Sequence, residues 1–221
     1  MSSALKTYIN QSYVAQIKQN EAELTALKSQ IYPHFLYNTL EIIRMSALDE
    51  QGREQVPEMI EALSEQIHYL IGPMQDMVPL EKEIAIVRKY VYLLNCRIDG
   101  KVQLGAKAPK TAGILVPKLI LQPIVENAVR YGMNRQGKRV VAIKAKEEGT
   151  GCRVYIRDEG KGMPKEVLEK LMSGQAIGNS VGLSNVHKRM KSIYGEEKGL
   201  LITSTNEGTC VELYFADNHV G

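Results

Sequence analysis

One histidine lies in surroundings that suit phosphorus chemistry. His34 and Asn38 occur in the segment QIYPHFLYNTL of residues 30–40, and their spacing of four places them on one face if the segment is helical. A neutral imidazole can attack a phosphoryl group, and the Asn38 amide can orient the ring or hold a water molecule. The pattern also fits an ordinary helix histidine, so the pair alone does not decide between a phosphorylation site and a structural residue.

A second segment, LQPIVENAVRYG at residues 121–132, carries a polar stripe along a predicted helix. Glu126 precedes Arg130 by four residues, and Asn127 precedes Tyr131 by the same spacing. These side chains therefore share one side of the helix, opposite its apolar positions. An Asn oxygen is a hard ligand of the kind Mg²⁺ prefers, and Arg130 can neutralise phosphate charge. In isolation the stripe is equally typical of a solvated helix face.

Two glycine-containing segments follow. Asp158 begins the string DEGKG directly after a predicted strand, where it can accept a hydrogen bond from an amino group, and Gly160 and Gly162 allow a ligand to approach the backbone closely. The segment GNSVGLSN at residues 178–185 leads into a helix, whose first N–H groups form a ready anion site. It matches neither the P-loop pattern nor the dinucleotide fingerprint.

The elements that must position these residues change character along the chain. Residues up to about 72 show helical spacing, and the seam from Tyr13 to Ile31 is typical of a coiled coil or a helical hairpin. A second helix is predicted over residues 53–69, with Val56, Ile60, Leu63, Ile67 and Leu70 on one face. A third is predicted over 80–97, with Ile84, Val87, Val91 and Leu94 inward. The first two are joined by a short loop, as in an antiparallel hairpin.

After residue 100 strands alternate with helices. Strands are predicted at 101–108, 138–146, 152–157, 200–205 and 209–215, and helices at 117–131, 164–172 and 183–194. The sequence therefore predicts an α+β protein, in which an N-terminal helical hairpin is followed by an α/β sandwich of one sheet and a helical layer. The predicted boundary divides the chain into residues 1–99 and 100–221.

Composition limits the possible partners. The net charge of the 221 residues is only +3 and the basic residues are scattered among acids, which argues against nucleic acid or a membrane surface as a partner. Cys96, Cys152 and Cys210 stand far apart, as expected in a reducing compartment. The longest apolar stretch, residues 114–125, is too short to cross a bilayer. We therefore expect a cytoplasmic location and no membrane contact by this segment.

Taken in order, the four motifs resemble the H, N, G1 and G2 boxes of bacterial sensor histidine kinases of the LytS/YesM-like family. The resemblance extends from about Gln30 to Phe215, and its H box is highly specific. It implies that residues 1–99 form the dimerisation and histidine phosphotransfer region. Residues 100–221 would form an ATP-binding domain of the GHKL (Bergerat) type, the sandwich shared with gyrase and Hsp90.

The resemblance also implies a role for each matching residue. His34 would be the phospho-acceptor, Asn127 the Mg²⁺ ligand, and Asp158 the acceptor for the adenine amino group. The other ATP-binding positions are Arg130, Tyr131, Gly160, Gly162, Gly178, Gly182, Leu183 and Thr209. Among these, Gly178 and Gly182 would border a mobile lid over the phosphates, and Thr209 would meet adenine through water.

The general base stays open at this point. Phe35 follows the histidine where other histidine-kinase classes carry an acid that serves as base. Glu126 is a candidate, because related ATPases use that position to activate water. Asn38 could place a water molecule for dephosphorylating a partner protein, which makes it a second candidate for a catalytic role.

The predicted function is Mg-ATP-dependent autophosphorylation of His34 in a homodimer, followed by phosphoryl transfer to an aspartate of a response regulator. By resemblance, the full-length protein would be anchored in a bacterial membrane with this part in the cytoplasm. Two alternatives stay open. A GHKL-type ATPase without histidine phosphorylation predicts nucleotide turnover that does not depend on His34, and a helical signalling adaptor with a degenerate pocket predicts no nucleotide binding.

Overall fold

The structure, a computed structural model, describes residues 33–71, 77–96, 102–107, 113–173 and 181–216. The predicted coiled-coil seam from Tyr13 to Ile31 and the predicted lid residue Gly178 lie outside these ranges. Across the described ranges, no helix combines the length and the apolar character that a membrane crossing requires.

The described chain begins with the predicted helical hairpin. Helix α1 (Pro33–Leu48) and helix α2 (Val56–Ile71) are joined by a loop that contains a 3-10 turn at Arg53–Gln55. Asp49 closes this loop, because its carboxylate accepts a hydrogen bond from the Gly52 N–H at 3.0 Å. A small apolar core forms between the two helices and the helix that follows; its fully buried members are Ile43, Met59, Ala62, Leu63 and Leu93.

The buried face of α2 overlaps in part with the predicted apolar face. Val56, Leu63 and Ile67 lie in or against the hairpin core, whereas Ile60 is 52% exposed. The side chains that are buried instead include Met59, Gln66 and Tyr69. Gln66 donates a hydrogen bond to the Ile86 carbonyl oxygen at 2.6 Å. Gln66, a polar residue outside the predicted apolar face, thus lies on the side of α2 that contacts the next helix.

The next segment connects the hairpin to the sheet. Strand β1 (Met77–Pro79) leads into helix α3 (Leu80–Asn95), whose predicted inward residues Ile84, Val87, Val91 and Leu94 are buried. These four belong to the larger core, whereas Leu93 belongs to the hairpin core. One hydrophobic core thus spans the predicted boundary between residues 99 and 100, and the division of the chain at that point stays a prediction.

A five-stranded mixed sheet forms the centre of the larger region, and its order is β2-β4-β5-β7-β6. Its strands are β2 (Val102–Lys107), β4 (Arg139–Glu148), β5 (Gly151–Asp158), β6 (Leu201–Thr205) and β7 (Gly208–Ala216). The β2–β4 pair is parallel and the other pairs are antiparallel. Strand β3 (Leu115–Pro117) pairs separately with β1.

Among the described residues, three helices complete this region: α4 (Gln122–Tyr131), α5 (Lys165–Met172) and α6 (Val181–Tyr194). In β5 and β7 alternate residues are buried, as in Val154, Ile156 and Leu213, so one face of the sheet forms the core. All three helices contribute to that core, among them through Ile124 and Met190. The predicted α+β architecture of a helical hairpin followed by an α/β sandwich is confirmed.

Helix α4 begins later than the sequence predicts. The predicted start, Pro117, lies in β3, where its partner is Met77. Residues 118–121 then form a turn in which Leu119 has a φ of 61°, a left-handed backbone that a helix cannot contain. Pro123 occupies the first turn of α4, where a missing N–H costs nothing.

Candidate functional site

A buried carboxylate marks the end of the central strand β5. Asp158 is 7% exposed, and its Oδ1 atom accepts hydrogen bonds from the backbone N–H groups of Gly160, at 2.9 Å, and Thr209, at 3.3 Å. Burial raises the pKa of the Asp158 carboxyl, while these two hydrogen bonds and Arg157 oppose the rise. Within the described residues, Oδ2 accepts no hydrogen bond. Oδ2 of Asp158 can therefore accept a hydrogen bond from a ligand.

Glycines surround this carboxylate because the backbone there leaves no room for side chains. A Cβ atom on Gly132 would lie 2.7 Å from Asp158 Cβ, and one on Gly160 would lie 2.6 Å from the Tyr131 carbonyl oxygen. A Cβ atom on Gly208 would lie 2.0 Å from the Asp158 carbonyl oxygen. The end of α4, the DEGKG segment and the turn before β7 therefore meet at Asp158.

Gly162 closes the same segment in a left-handed conformation. Its φ is 75°, and a Cβ atom at this position would lie 2.0 Å from the Thr205 carbonyl oxygen. Next to it, the Ser204 hydroxyl accepts a hydrogen bond from the Met163 N–H at 2.6 Å and lies 3.0 Å from the Thr209 hydroxyl. The structure thus brings Thr209 to Asp158, Gly160 and Gly162, which the sequence analysis selected in one string. Together with Gly132, Ser204 and Gly208 these residues form the Asp158 cluster.

The polar side of α4 extends from this cluster. Glu126 and Asn127 are half-buried, whereas Arg130 and Tyr131 near its end are exposed. The Gln122 amide donates to Glu126 Oε1 at 3.0 Å, which orients the carboxylate. Gly132, which directly follows Tyr131, lies against Asp158. The polar side of α4 therefore extends to the Asp158 cluster.

Two further candidates lie at the other end of α4. A Cβ atom on Gly182 would lie 3.4 Å from Pro123 Cβ, so the start of α6 packs beside the start of α4. Leu183 is 1% exposed and belongs to the hydrophobic core, so its side chain is not open to a ligand. A ten-residue helix is about 15 Å long, and this length separates Gly182 from the Asp158 cluster.

The candidates of the first motif lie on the hairpin. His34 and Asn38 occupy positions one turn apart on the backbone of α1, and their side chains are outside the described part of the structure. Helix α1 packs against α2, with Ile43 and Thr39 buried. The predicted phospho-acceptor therefore lies on α1, whereas the predicted nucleotide residues that the structure describes lie on α4, at the start of α6 and around the end of β5.

Sequence reasoning missed three residues of the Asp158 cluster: Gly132, Gly208 and Ser204. Gly132 ends the LQPIVENAVRYG segment and Gly208 begins β7 directly after the β6–β7 turn, so both look like ordinary helix-ending or turn glycines. Only the long-range contact with Asp158 distinguishes them. Ser204 carries no local signal, because its importance comes from bonds across the hairpin and to the DEGKG segment.

Comparison with known proteins identifies both halves of this arrangement. The histidine kinase family matches residues 22–102, and the family of histidine kinase-, DNA gyrase B- and HSP90-like ATPases matches residues 115–219. A solved histidine kinase domain, from the blue-light activated histidine kinase EL346 of Erythrobacter litoralis, shares the fold with a TM-score of 0.50. At 14% identity, it covers 84% of this chain and 96% of its own length.

The chain belongs to the sensor histidine kinases. It is 33% identical over 218 residues to the sensor histidine kinase YpdA of Escherichia coli (strain K12) and 34% identical over 212 residues to the sensor histidine kinase YesM of Bacillus subtilis (strain 168). These alignments cover 97% and 94% of this chain but only 38% and 35% of the relatives. The chain thus spans little more than a third of the length of the relatives it matches.

Proposed function

We propose that this chain is the kinase core of a sensor histidine kinase, which binds Mg-ATP between α4 and the Asp158 cluster and transfers the γ-phosphoryl group to His34. The observation that carries the proposal is the cluster itself. A buried carboxylate with one oxygen left for a ligand lies in a backbone cradle of glycines, at one end of a helix with a polar face.

The Asp158 end of the site suits the adenine base. Oδ2 of Asp158 would accept a hydrogen bond from the adenine amino group, while Oδ1 stays occupied by the Gly160 and Thr209 N–H groups. Gly160 and Gly162 shape the pocket, since larger side chains would collide with the backbone there. The Thr209 hydroxyl, beside that of Ser204, would contact the base through water.

The remainder of α4 suits the phosphates. Asn127 would hold Mg²⁺, which usually takes one or two protein ligands and fills its other positions with phosphate oxygens and water; bound there, the ion would offset phosphate charge. Arg130 and Tyr131 would contact the nucleotide from the exposed end of the helix. Gly182 and the backbone of Leu183, together with Gly178, would border the phosphates.

In the reaction, a neutral His34 imidazole nitrogen attacks the γ-phosphorus. A nitrogen–phosphorus bond forms, the bond to the β–γ bridging oxygen breaks, and ADP leaves. The imidazole proton passes to a base, for which the oriented Glu126 carboxylate is the candidate. Positioning and charge stabilisation provide most of the acceleration in phosphoryl transfer. Asn38, one turn after His34, would orient the ring or a water molecule.

The same proposal includes two protein partners. Helix α1 exposes several large apolar side chains, Tyr37, Leu40, Met45 and Leu48, which supports a homodimer formed through the hairpin. The phosphoryl group would then pass from His34 to an aspartate of a response regulator. The relatives are named sensors and are much longer than this chain, which supports a place for this segment within a longer sensor. The proposal further includes a membrane anchor in that longer protein, a cytoplasmic position for this segment, and a division into residues 1–99 for phosphotransfer and 100–221 for ATP binding.

The experiment incubates the chain with Mg²⁺ and γ-labelled ATP and compares the wild type with His34→Gln. The matched control is His68→Gln, because His68 is an exposed histidine on the neighbouring helix α2. We expect an acid-labile, base-stable label in the wild type and the control, and none in His34→Gln. Label that persists in His34→Gln would contradict the proposed acceptor.

ATP binding measured on the same samples separates the alternatives. Asp158→Asn places an NH₂ donor where the adenine amino group also donates, so we expect ATP affinity to fall about tenfold or more. Turnover of ATP that is independent of His34 would indicate an ATPase. Absence of ATP binding by the folded wild type would indicate a signalling adaptor.

A further inference from the structure

A buried carboxylate on α3 holds the start of α4. Glu83 is 1% exposed and accepts hydrogen bonds from the backbone N–H groups of Leu119, Ile120 and Leu121 at 2.7, 2.9 and 3.0 Å. The first bond is to Oε1 and the other two are to Oε2, so both carboxylate oxygens are used. Burying a carboxylate is unfavourable unless such hydrogen bonds compensate for lost water.

The start of α4 depends on this carboxylate because its own residues cannot cap it. Leu121 precedes the helix and makes no side-chain capping bond. The left-handed backbone of Leu119, unusual for a residue with a branched side chain, helps to turn successive N–H groups towards one acceptor. Negative charge at a helix N-terminus is also electrostatically favourable. A side chain of α3 therefore sets where α4 begins and in which direction it leaves the turn.

The same carboxylate contacts the hairpin. The hydroxyl of Tyr69, on α2, donates a hydrogen bond to Oε1 of Glu83. Burial and the charge of Glu83 raise the pKa of Tyr69, so the hydroxyl keeps its proton and remains a donor. Lys118 Nζ lies 5.0 Å from the centre of the Tyr69 ring. Glu83 thus contacts helix α2, which pairs with the histidine-bearing α1, and the turn that starts α4.

We propose that Glu83 is a positioning residue for phosphoryl transfer: it fixes the start of the helix that carries Asn127 and, through Tyr69, holds the hairpin in place against that helix. The inference rests on the proposed function, since this alignment affects a reaction only if His34 receives its phosphoryl group from a nucleotide bound at α4. The two contacts are separable, because loss of the Tyr69 hydroxyl leaves the three backbone bonds of Glu83 in place.

The test compares Tyr69→Phe, Glu83→Gln and the double variant with the wild type, all as the full chain. The matched control is Tyr194→Phe, because the Tyr194 hydroxyl is buried and has no hydrogen-bond partner among the described residues. Three quantities are measured: amide hydrogen exchange of residues 66–71 and 119–131 without nucleotide, the dissociation constant of ATP, and the rate constant of His34 phosphorylation at saturating ATP.

Each variant has a distinct expected result. Tyr69→Phe should accelerate exchange in residues 66–71 and slow phosphorylation about tenfold, the size of effect expected for losing a hydrogen bond to a charged group, while ATP affinity changes less than about twofold. Glu83→Gln should accelerate exchange in residues 119–125 and weaken both ATP affinity and phosphorylation. In the double variant phosphorylation should be no slower than in Glu83→Gln alone, because Tyr69 acts through Glu83.

Three outcomes would overturn the inference. Tyr69→Phe could match Tyr194→Phe in exchange and rate, Glu83→Gln could leave exchange in residues 119–125 unchanged, or the two effects on phosphorylation could be fully additive. A loss of rate and affinity in equal measure in Tyr69→Phe would indicate only a structural role. If the wild type binds no ATP or acquires no label, the proposed function fails, and the exchange data still show whether Glu83 and Tyr69 hold these segments.

Discussion

The helical hairpin and the sheet region differ in how completely they bury their apolar side chains. In the sheet region Ile143, Ile156 and Phe215 are at most 2% exposed. In the hairpin, by contrast, Tyr37 is 74% exposed and Leu48 is 71% exposed. The core of the sheet region is closed within the chain with the help of one face of α3, whereas α1 presents a part of its apolar surface to solvent.

This difference indicates what each region needs to be stable. The sheet region buries its apolar residues within the fold, which supports the proposal of a nucleotide site at the end of β5. Exposed apolar patches mark contact sites in soluble proteins, so the exposed side chains of α1 support the proposed homodimer. The proposed phospho-acceptor would then lie near an assembly surface, and the proposed nucleotide site would lie within one chain.

The largest expected effect tests the self-sufficiency of the sheet core. Phe215 is fully buried in β7 and packs edge-on against Tyr194, with ring centroids 6.1 Å apart. Phe215→Ala should lower the free energy of unfolding by about 3–5 kcal/mol, because it removes buried surface and leaves a cavity. Denaturant unfolding measures the loss. Leu201→Ala, at a 57% exposed position on β6, is the control and should change stability by less than about 0.5 kcal/mol.

The comparison also predicts how the loss of stability in Phe215→Ala depends on protein concentration. If the sheet core is complete within one chain, the loss in Phe215→Ala should not depend on protein concentration. A loss that shrinks as the protein is concentrated would mean that association contributes to this core, and the contrast with the hairpin would disappear.

Local patterns allowed much of the fold to be predicted from the sequence. The alternation in residues 152–157 and the inward spacing of Ile84, Val87 and Val91 depend on neighbours within a few residues, and the structure agrees with them. The pairing of β1 with β3 was missed. Each strand has three residues and their partner lies about 40 positions away, so neither leaves a periodic signal.

The candidate site shows the same limit. Asp158, Gly160 and Gly162 stand in one short string, and their proximity could be predicted. Glu83 could not be selected, because it lies 36 residues before Leu119 and its role depends on a turn that only the folded chain forms. The error at the start of α4 has the same cause, since the N–H groups of residues 119–121 bind a distant carboxylate in a turn that precedes the helix.

A smaller effect is expected on the surface of the hairpin. Leu40 and Leu48 are exposed on α1, and replacing both by Gln should weaken a dimer formed through this face. Each leucine buried in the contact contributes about 1.5 kcal/mol, so each change should raise the dimer dissociation constant about tenfold for each of the two subunits that carries it. Sedimentation equilibrium measures the constant. Leu201→Gln, at a comparably exposed position in the sheet region, should leave it unchanged; equal weakening by both would place the contact elsewhere.

The smallest expected effect is a pH dependence of stability in the sheet region. His187 on α6 is 3% exposed, and its Nδ1 accepts a hydrogen bond from the Leu200 N–H at 3.2 Å. Burial, helped by Lys191 and opposed by Glu196, lowers the pKa of His187 below the usual value. Below about pH 6.5 the unfolded chain therefore binds more protons than the folded chain. The free energy of unfolding should decrease as the pH is lowered from about 6.5, until the pH is below the lowered pKa of the folded chain.

His187→Asn isolates this contribution, because the Asn oxygen can still accept the Leu200 N–H bond but does not titrate. Denaturant unfolding of both chains between pH 5 and 8 gives two curves, and their difference belongs to His187. Each unit by which the pKa is lowered corresponds to about 1.4 kcal/mol. Parallel curves would show that protonation of His187 costs the folded chain nothing. The buried polar contacts of the sheet region would then be more tolerant than its tightly packed apolar core.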